Sequence, residues 1–273
     1  MISFLINLTY LLLTLFVVFI IIAIIYKPFS IYKNHPEQQN PMEGKNVVFV
    51  YDENDKENAD GVKGHLVIHG DSNKRFVLYA TIIKRALDIV FSFFGLVVLS
   101  PVFLVISIAI LIDNQGPVFF VQKRVGKDKQ YFKLHKFRSM KVSAPADVPT
   151  HMLANSKQHL TKVGKFIRVH NLDELPQIWD IFIGNMSIVG PRPVLWNLNS
   201  LIAERDKYGA NDVRPGLTGL AQINGRDLLS IQDKAKFDGL YVKNISFVTD
   251  LKCFLGTLHV LIKDDSIVED GNC

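Results

Sequence analysis

The feature that most limits how this chain can fold is an apolar stretch, Ile89 to Ile112, with positive charge on both sides. It is long enough to cross a bilayer core, which takes about 20 apolar residues in a helix. Lys74, Arg75, Lys84 and Arg85 precede it, and Lys123, Arg124, Lys127 and Lys129 follow. Basic flanks prefer the cytoplasmic side of a membrane, and one simple span can put only one flank there. Near the centre stand Ser100 and Pro101. Proline removes a backbone hydrogen bond and bends a helix. Two readings follow. One is an ordinary kinked span; the other is a re-entrant helix over 87–112 that enters one leaflet, breaks at Ser100-Pro101 and returns. The second satisfies both flanks.

A further apolar run, Phe4 to Tyr26, is interrupted only by Asn7, Thr9, Tyr10 and Thr14. It reads as a transmembrane anchor over 1–27. A signal peptide is the rival, but that would want a basic start, a shorter core and a small-residue cleavage site. No Lys or Arg precedes the run, whereas Lys27 and Lys33 follow it. This charge order predicts an outer N-terminus and a cytoplasmic remainder.

Hydrophobic residues make up 48% of the 273 and charged ones 21%, so a membrane protein with a large water-facing part is expected. The net charge of +5 suits an anionic membrane surface, an anionic ligand or nucleic acid, and only clustering chooses among them. Two cysteines, Cys253 and Cys273, supply neither a disulfide framework nor a zinc site.

Residues 28–80 read as a linker carrying a small β-hairpin, with strands at Asn46–Tyr51 and His65–His69 around a charged loop. His65 and His69 read as surface residues rather than metal ligands. Residues 81–273 form the expected main domain, a small, mostly helical α+β unit. Its own β-hairpin runs through Pro117–Arg124 and Tyr131–Met140. Eight basic residues and one acid, Asp128, fall between Lys123 and Lys141. Such a hairpin can lie on anionic headgroups, and Lys136 and Arg138 can equally surround a phosphate-bearing substrate. Nucleic acid fits least, beside a membrane-buried segment.

The run from Arg168 to Asp180 carries the sharpest chemistry. Leu175, Ile178, Trp179 and Phe182 have helical spacing, and Pro176 fits only in a first turn. Asp173 is thereby expected at or beside the N-cap, with Glu174 in the first turn. N-capping explains one acid. Two acids with Arg168 five residues earlier suggest phosphate chemistry, a divalent cation or a nucleophilic carboxylate. Downstream, Arg192, Arg214 and Arg226 each sit in a Gly/Pro-stiffened turn, where guanidinium can fork onto phosphate; Gly216 and Gln222 belong to the same loops.

Taken together, Lys84-Arg85…Asp88, Ser100-Pro101, Lys136–Met140, Leu172–Gln177, Met186–Pro193 and Arg214–Gly219 resemble, in order, the bacterial sugar transferase family, the monotopic phosphoglycosyl transferases that start surface-glycan assembly. The resemblance covers about 80 to 265. It implies an inner-membrane enzyme with a cytoplasmic catalytic domain, taking a sugar 1-phosphate from a UDP-sugar to undecaprenyl phosphate and releasing UMP. Exopolysaccharide, capsule and lipopolysaccharide O-antigen synthesis are the pathways implied. It implies Asp173 as nucleophile and Mg²⁺ ligand, Glu174 as its partner, and Lys136, Arg138, Arg168, Arg192, Arg214, Gly216, Gln222 and Arg226 around substrate. The sugar suggested is an N-acetylated hexosamine, with 6-deoxy sugars included. Asn185, where relatives often carry Asp, and Ser139, where Thr is usual, depart from the pattern. A soluble-type glycosyltransferase usually needs an Asp-x-Asp, which is absent. A membrane-tethered basic protein that binds lipid or nucleic acid without catalysis is the alternative. Whether the chain forms a homo-oligomer is not readable.

Overall fold

The computed structural model describes residues 40–71, 78–144 and 159–263. The anchor expected over 1–27 lies outside them, as do 28–39 and 72–77 of the expected linker. Strands β1 (Lys45–Tyr51) and β2 (Gly64–Asp71) pair antiparallel, as the alternating pattern predicts. This hairpin is not free-standing. Val47 is buried in one cluster with Val125, Val194, Leu201 and Ile202. Its N–H donates to Asp206 Oδ2 at 2.7 Å, while the buried Lys129 ammonium holds Oδ1 at 3.0 Å. The hairpin therefore lies in one compact unit with the other described residues.

A short π-helical turn, Tyr79–Ile83, leads into α1 (Lys84–Asp113), the one described helix long and apolar enough to cross a membrane. Helical conformation runs through Ser100 and Pro101 without interruption, which corrects the expected break in the helix itself. The reason is local. Pro101 cannot donate to Val97 O four residues back, and the Ser100 hydroxyl donates to that same carbonyl at 2.8 Å. Both ends of α1 are tied to the rest of the unit. At its start, Arg85 donates to Ile181 O and Phe182 O at 2.6 and 2.7 Å, and Asp88 accepts from Ile188 N at 2.9 Å. At its end, Asp113 accepts from Val163 N at 2.8 Å, and Ile106 and Ile110 pack against Phe137 and Ile167.

The rest is mixed α and β, as expected. In chain order it comprises β3 (Phe119–Val125), β4 (Tyr131–Phe137), α2 (Lys162–Val169), α3 (Gln177–Ile183), β5 (Ser187–Val189), β6 (Val194–Leu195), α4 (Asn199–Asp206), β7 (Gly216–Thr218), α5 (Leu220–Ile223), α6 (Ile231–Lys243) and α7 (Phe247–Lys263). Strands β4, β3 and β6 form an antiparallel sheet in that order, and β5 pairs parallel with β7. Gly216 is required where those parallel strands meet, because a methyl group there would collide with the backbone nitrogen of Gly190.

Candidate active site

Asp173 and Glu174 do not cap a helix. They lie in a 3₁₀ turn, Leu172–Glu174, and Pro176 is the residue that precedes α3. The missing N–H of Pro176 explains the shift. It leaves Leu172 O without its α-helical donor, and Leu175 N takes that carbonyl instead at 3.2 Å.

This turn sets Glu174 against two cations from distant elements. Lys136 Nζ, from β4, donates to Glu174 Oε1 at 2.7 Å, and Arg192, from the loop after β5, donates to the same oxygen at 2.7 Å. Register places a third cation on the same face of the sheet. Gln122 pairs with Leu134 and Phe120 with Lys136, so alternate residues Gln122 and Arg124 share the Lys136 face. Arg124 donates twice to Gln122 Oε1, from Nε at 3.0 Å and from a terminal nitrogen at 2.5 Å, and once to Pro193 O at 3.0 Å. Arg124, Lys136, Glu174, Gln177 and Arg192, with Leu134 and Pro193, line a small polar pocket.

Electrostatics separate the two acids. Burial alone would raise the Glu174 carboxyl, but Arg192 and Lys136 together hold it far below the usual carboxylate range. Asp173 is 5% exposed, and burial raises it; Lys136 opposes that, and the charge on Glu174 adds to it. Burial and repulsion from Arg192 push the Arg124 guanidinium down to about 10. Three cations thus line a pocket whose one paired anion is Glu174. Such an excess suits an incoming phosphate.

The remaining expected residues are dispersed. Arg168, in the last turn of α2, acts electrostatically on Asp173. Arg138 is buried and spends its guanidinium on the carbonyls of Asn114 and Gln115, behind the end of α1. It does not line the pocket. Arg214 donates from Nε to Gly184 O at 3.0 Å and so secures the end of α3. Gly216 serves strand packing. Gln222 is 7% exposed and its amide has no hydrogen-bond partner among the described residues. Arg226 adopts a left-handed conformation with φ 49° in a 3₁₀ turn. Sequence reasoning passed over Arg124 and Gln177. Strand alternation from Lys136 across the hairpin was the available signal for Arg124.

Residues 79–264 match the sequence pattern described as bacterial sugar transferase. The chain belongs to that family. Among its relatives, a UDP-glucose:undecaprenyl-phosphate glucose-1-phosphate transferase of Klebsiella pneumoniae is 37% identical over 190 residues, 65% of this chain and 39% of that protein. The sugar transferase EpsL of Bacillus subtilis is 37% identical over 191 residues, 70% of this chain and 93% of that protein. A UDP-galactose-lipid carrier transferase of Erwinia amylovora is 34% identical over 203 residues, 67% of this chain and 41% of that protein. The chain thus spans about two-fifths of the long Klebsiella and Erwinia transferases, and nearly all of the short EpsL. The family's shared region contains Asp173, Glu174 and every pocket-lining residue.

Proposed function

We propose that this bacterial sugar transferase moves a sugar 1-phosphate from a UDP-sugar to undecaprenyl phosphate at the cytoplasmic face of the inner membrane. The observation that carries the reading is the convergence of Lys136 and Arg192 on Glu174, with Arg124 beside them, next to a buried Asp173. The cations bind and orient the diphosphate. An Asp173 oxygen attacks the β-phosphorus, and the bond from that phosphorus to the bridging oxygen breaks as UMP leaves. A phosphoryl oxygen of undecaprenyl phosphate then attacks the same phosphorus and releases the Asp173 carboxylate. Glu174 is held by two cations, which fits it to hold Lys136 and Arg192 in place rather than to carry protons.

Magnesium fits the donor set. It takes one or two carboxylates and fills its octahedron with phosphate oxygens and water. Asp173, which has no share in the Glu174 ion pairs, is the residue that would hold it. Bound there, it would neutralise diphosphate charge.

The re-entrant reading of α1 is retained as a bend and not as a break. It is supported by the docking of both helix ends on one unit and by the two basic flanks. The outward face of α7, with exposed Phe247, Leu251, Phe254 and Leu258, suits the same bilayer surface. Cysteines placed at 75 and 125 should both resist labelling from the periplasm; labelling of one alone would restore a simple span.

A panel of UDP-sugars, including glucose, galactose, N-acetylhexosamines and 6-deoxy sugars, tests the reaction. UMP release that requires this protein and yields a polyprenyl diphosphate-sugar is expected. Binding to lipid without turnover of any sugar would favour the non-catalytic alternative.

A further inference from the structure

Arg192 has a backbone as well as a side chain in this arrangement, and the backbone is gripped from outside the pocket. Arg205, on α4, is 5% exposed, and Asp238, on α6, has no exposed surface. Arg205 Nε donates to Asp238 Oδ2 at 2.8 Å, and a second guanidinium nitrogen lies 2.6 Å from the same oxygen. The remaining terminal nitrogen donates to the backbone carbonyl of Arg192 at 2.9 Å. From that residue the side chain reaches Glu174 Oε1 at 2.7 Å. The chain of contacts runs from α6 through α4 and the loop to the pocket, and the carbonyl of Arg192 is where Arg205 meets that loop.

A purely stabilising role is the plain alternative. It is a weak one, because a buried ion pair seldom outperforms well-packed apolar side chains of the same volume. The direction of the third donor is more informative. Arg205 does not turn it to a second acid or to a helix end, but to an irregular loop between two proline residues, Pro191 and Pro193. Pro193 O is held from the pocket side by Arg124 at 3.0 Å. Two adjacent carbonyls are thereby fixed from two directions.

We propose that Arg205 and Asp238 are a positioning pair, which sets the backbone of Arg192 so that its guanidinium meets Glu174 and the substrate diphosphate. The inference rests on the phosphotransfer reading of the pocket. A misplacement of about 1 Å in such a group can lower a rate about 100-fold.

The test is a double-mutant cycle with Arg192→Ala, measuring UMP release and, by calorimetry, the binding of inorganic pyrophosphate. Arg205→Met with Asp238→Leu removes the pair together, so that no charge is left buried alone. Arg205→Lys is the second variant; it keeps a cation beside Asp238 and loses the fork. Expected is a fall of about 100-fold in kcat/KM, weaker pyrophosphate binding, and a thermal midpoint for Arg205→Lys that is lowered but stays above the assay temperature. Both losses should vanish when Arg192 is already alanine, since the pair acts through it. Losses that persist undiminished in the Arg192→Ala background would overturn the proposal, as would parental activity and binding in Arg205→Lys. Should the double replacement fail to fold, the lysine variant decides alone. Full activity of Arg192→Ala itself would instead remove the role given to Arg192, and a parent chain without turnover or pyrophosphate binding would remove the phosphotransfer reading.

Discussion

Two of the buried polar clusters in this fold are built on opposite arithmetic. At the base of α1, Asp250 accepts from Lys84 at 2.6 Å, from Tyr79 at 2.8 Å and from Tyr241 at 2.8 Å. One carboxylate meets one ammonium and two neutral hydroxyls, and the cluster is complete. In the pocket, Glu174 is shared by Lys136 and Arg192 while Arg124 stands by, so positive charge is left over. A balanced cluster joins elements: here α1, α6 and α7. An unbalanced one is stable only with help from burial elsewhere, and it is the one that draws an anionic ligand. The same residue types therefore serve as a joint in one place and as a site in the other.

Replacing Asp173 by Asn breaks the comparison most sharply. The amide keeps the shape and removes the charge needed for attack and for metal binding. Activity should fall about 10⁴-fold or more, as losses of a nucleophile do, while the protein still folds and inserts. Incubation with UDP-sugar and no acceptor should add one phosphosugar mass to the parent, on the peptide containing Asp173, and none to the variant. Absence of an adduct under rapid quench, with UMP release that strictly needs acceptor, would assign direct transfer and leave Asp173 a metal ligand.

At the joint the expected damage is to stability. Asp250→Asn takes from the buried Lys84 ammonium the carboxylate it is paired with, and breaking a buried pair typically costs about 3–5 kcal/mol. Lys136→Met in the pocket removes one cation from a surplus, so its stability change should be much smaller and its loss of substrate affinity much larger. Denaturant unfolding in detergent, paired with UMP release, separates the two patterns. Equal destabilisation by both would mean that the pocket is a joint as well.

Arg124 comes next in size. Its exchange for lysine keeps the charge and loses the fork that ties Gln122 to Pro193. A charge-assisted hydrogen bond is worth about 1.5–3 kcal/mol, so kcat/KM should drop by roughly 10- to 100-fold with the fold intact. Parental kinetics in Arg124→Lys would remove Arg124 from the site.

How much of this was legible in the sequence depends on contact distance along the chain. The apolar stretch with its basic flanks and both hairpins are local patterns, and they appear where expected; the Asp173-Glu174 pair, expected at a helix N-terminus, lies instead in a separate 3₁₀ turn before α3. Lys136 and Glu174 are 38 residues apart and Arg192 and Glu174 are 18 apart, so their shared oxygen belongs to the folded chain alone. Val47 and Asp206 are separated by 159 residues, which hid the docking of the first hairpin. Arg138 misled for a different reason. Two residues beyond Lys136, it should share its face in a strand, but β4 ends at Phe137 and the alternation ends with it. Ser100-Pro101 was read as a break because proline removes a donor; the hydroxyl beside it restores one.

The smallest effect concerns the charge that Asp173 feels. Burial raises its carboxyl above the ordinary 3.8, Lys136 being the main opposing influence and Glu174 adding to the rise. Attack needs the ionised form, so the acid limb of kcat/KM should lie above pH 3.8. Glu174→Gln removes a neighbouring negative charge and should move that limb to lower pH. Lys136→Met should move it to higher pH. Stability carries the same signs. Folded Asp173 holds its proton more tightly than the unfolded chain does, so its contribution favours the fold below pH 3.8 and is lost as pH rises through the raised value. Glu174, held low, contributes fully above its ordinary 4.5 and loses that contribution as pH falls through its depressed value. Residual turnover of both variants across pH, with unfolding measured in the same buffers, checks the directions. A limb that climbs in Glu174→Gln would show that Glu174 matters less as a charge than as the post that keeps Lys136 and Arg192 beside Asp173. The surplus of cations would then be a surplus only while that one carboxylate holds them together.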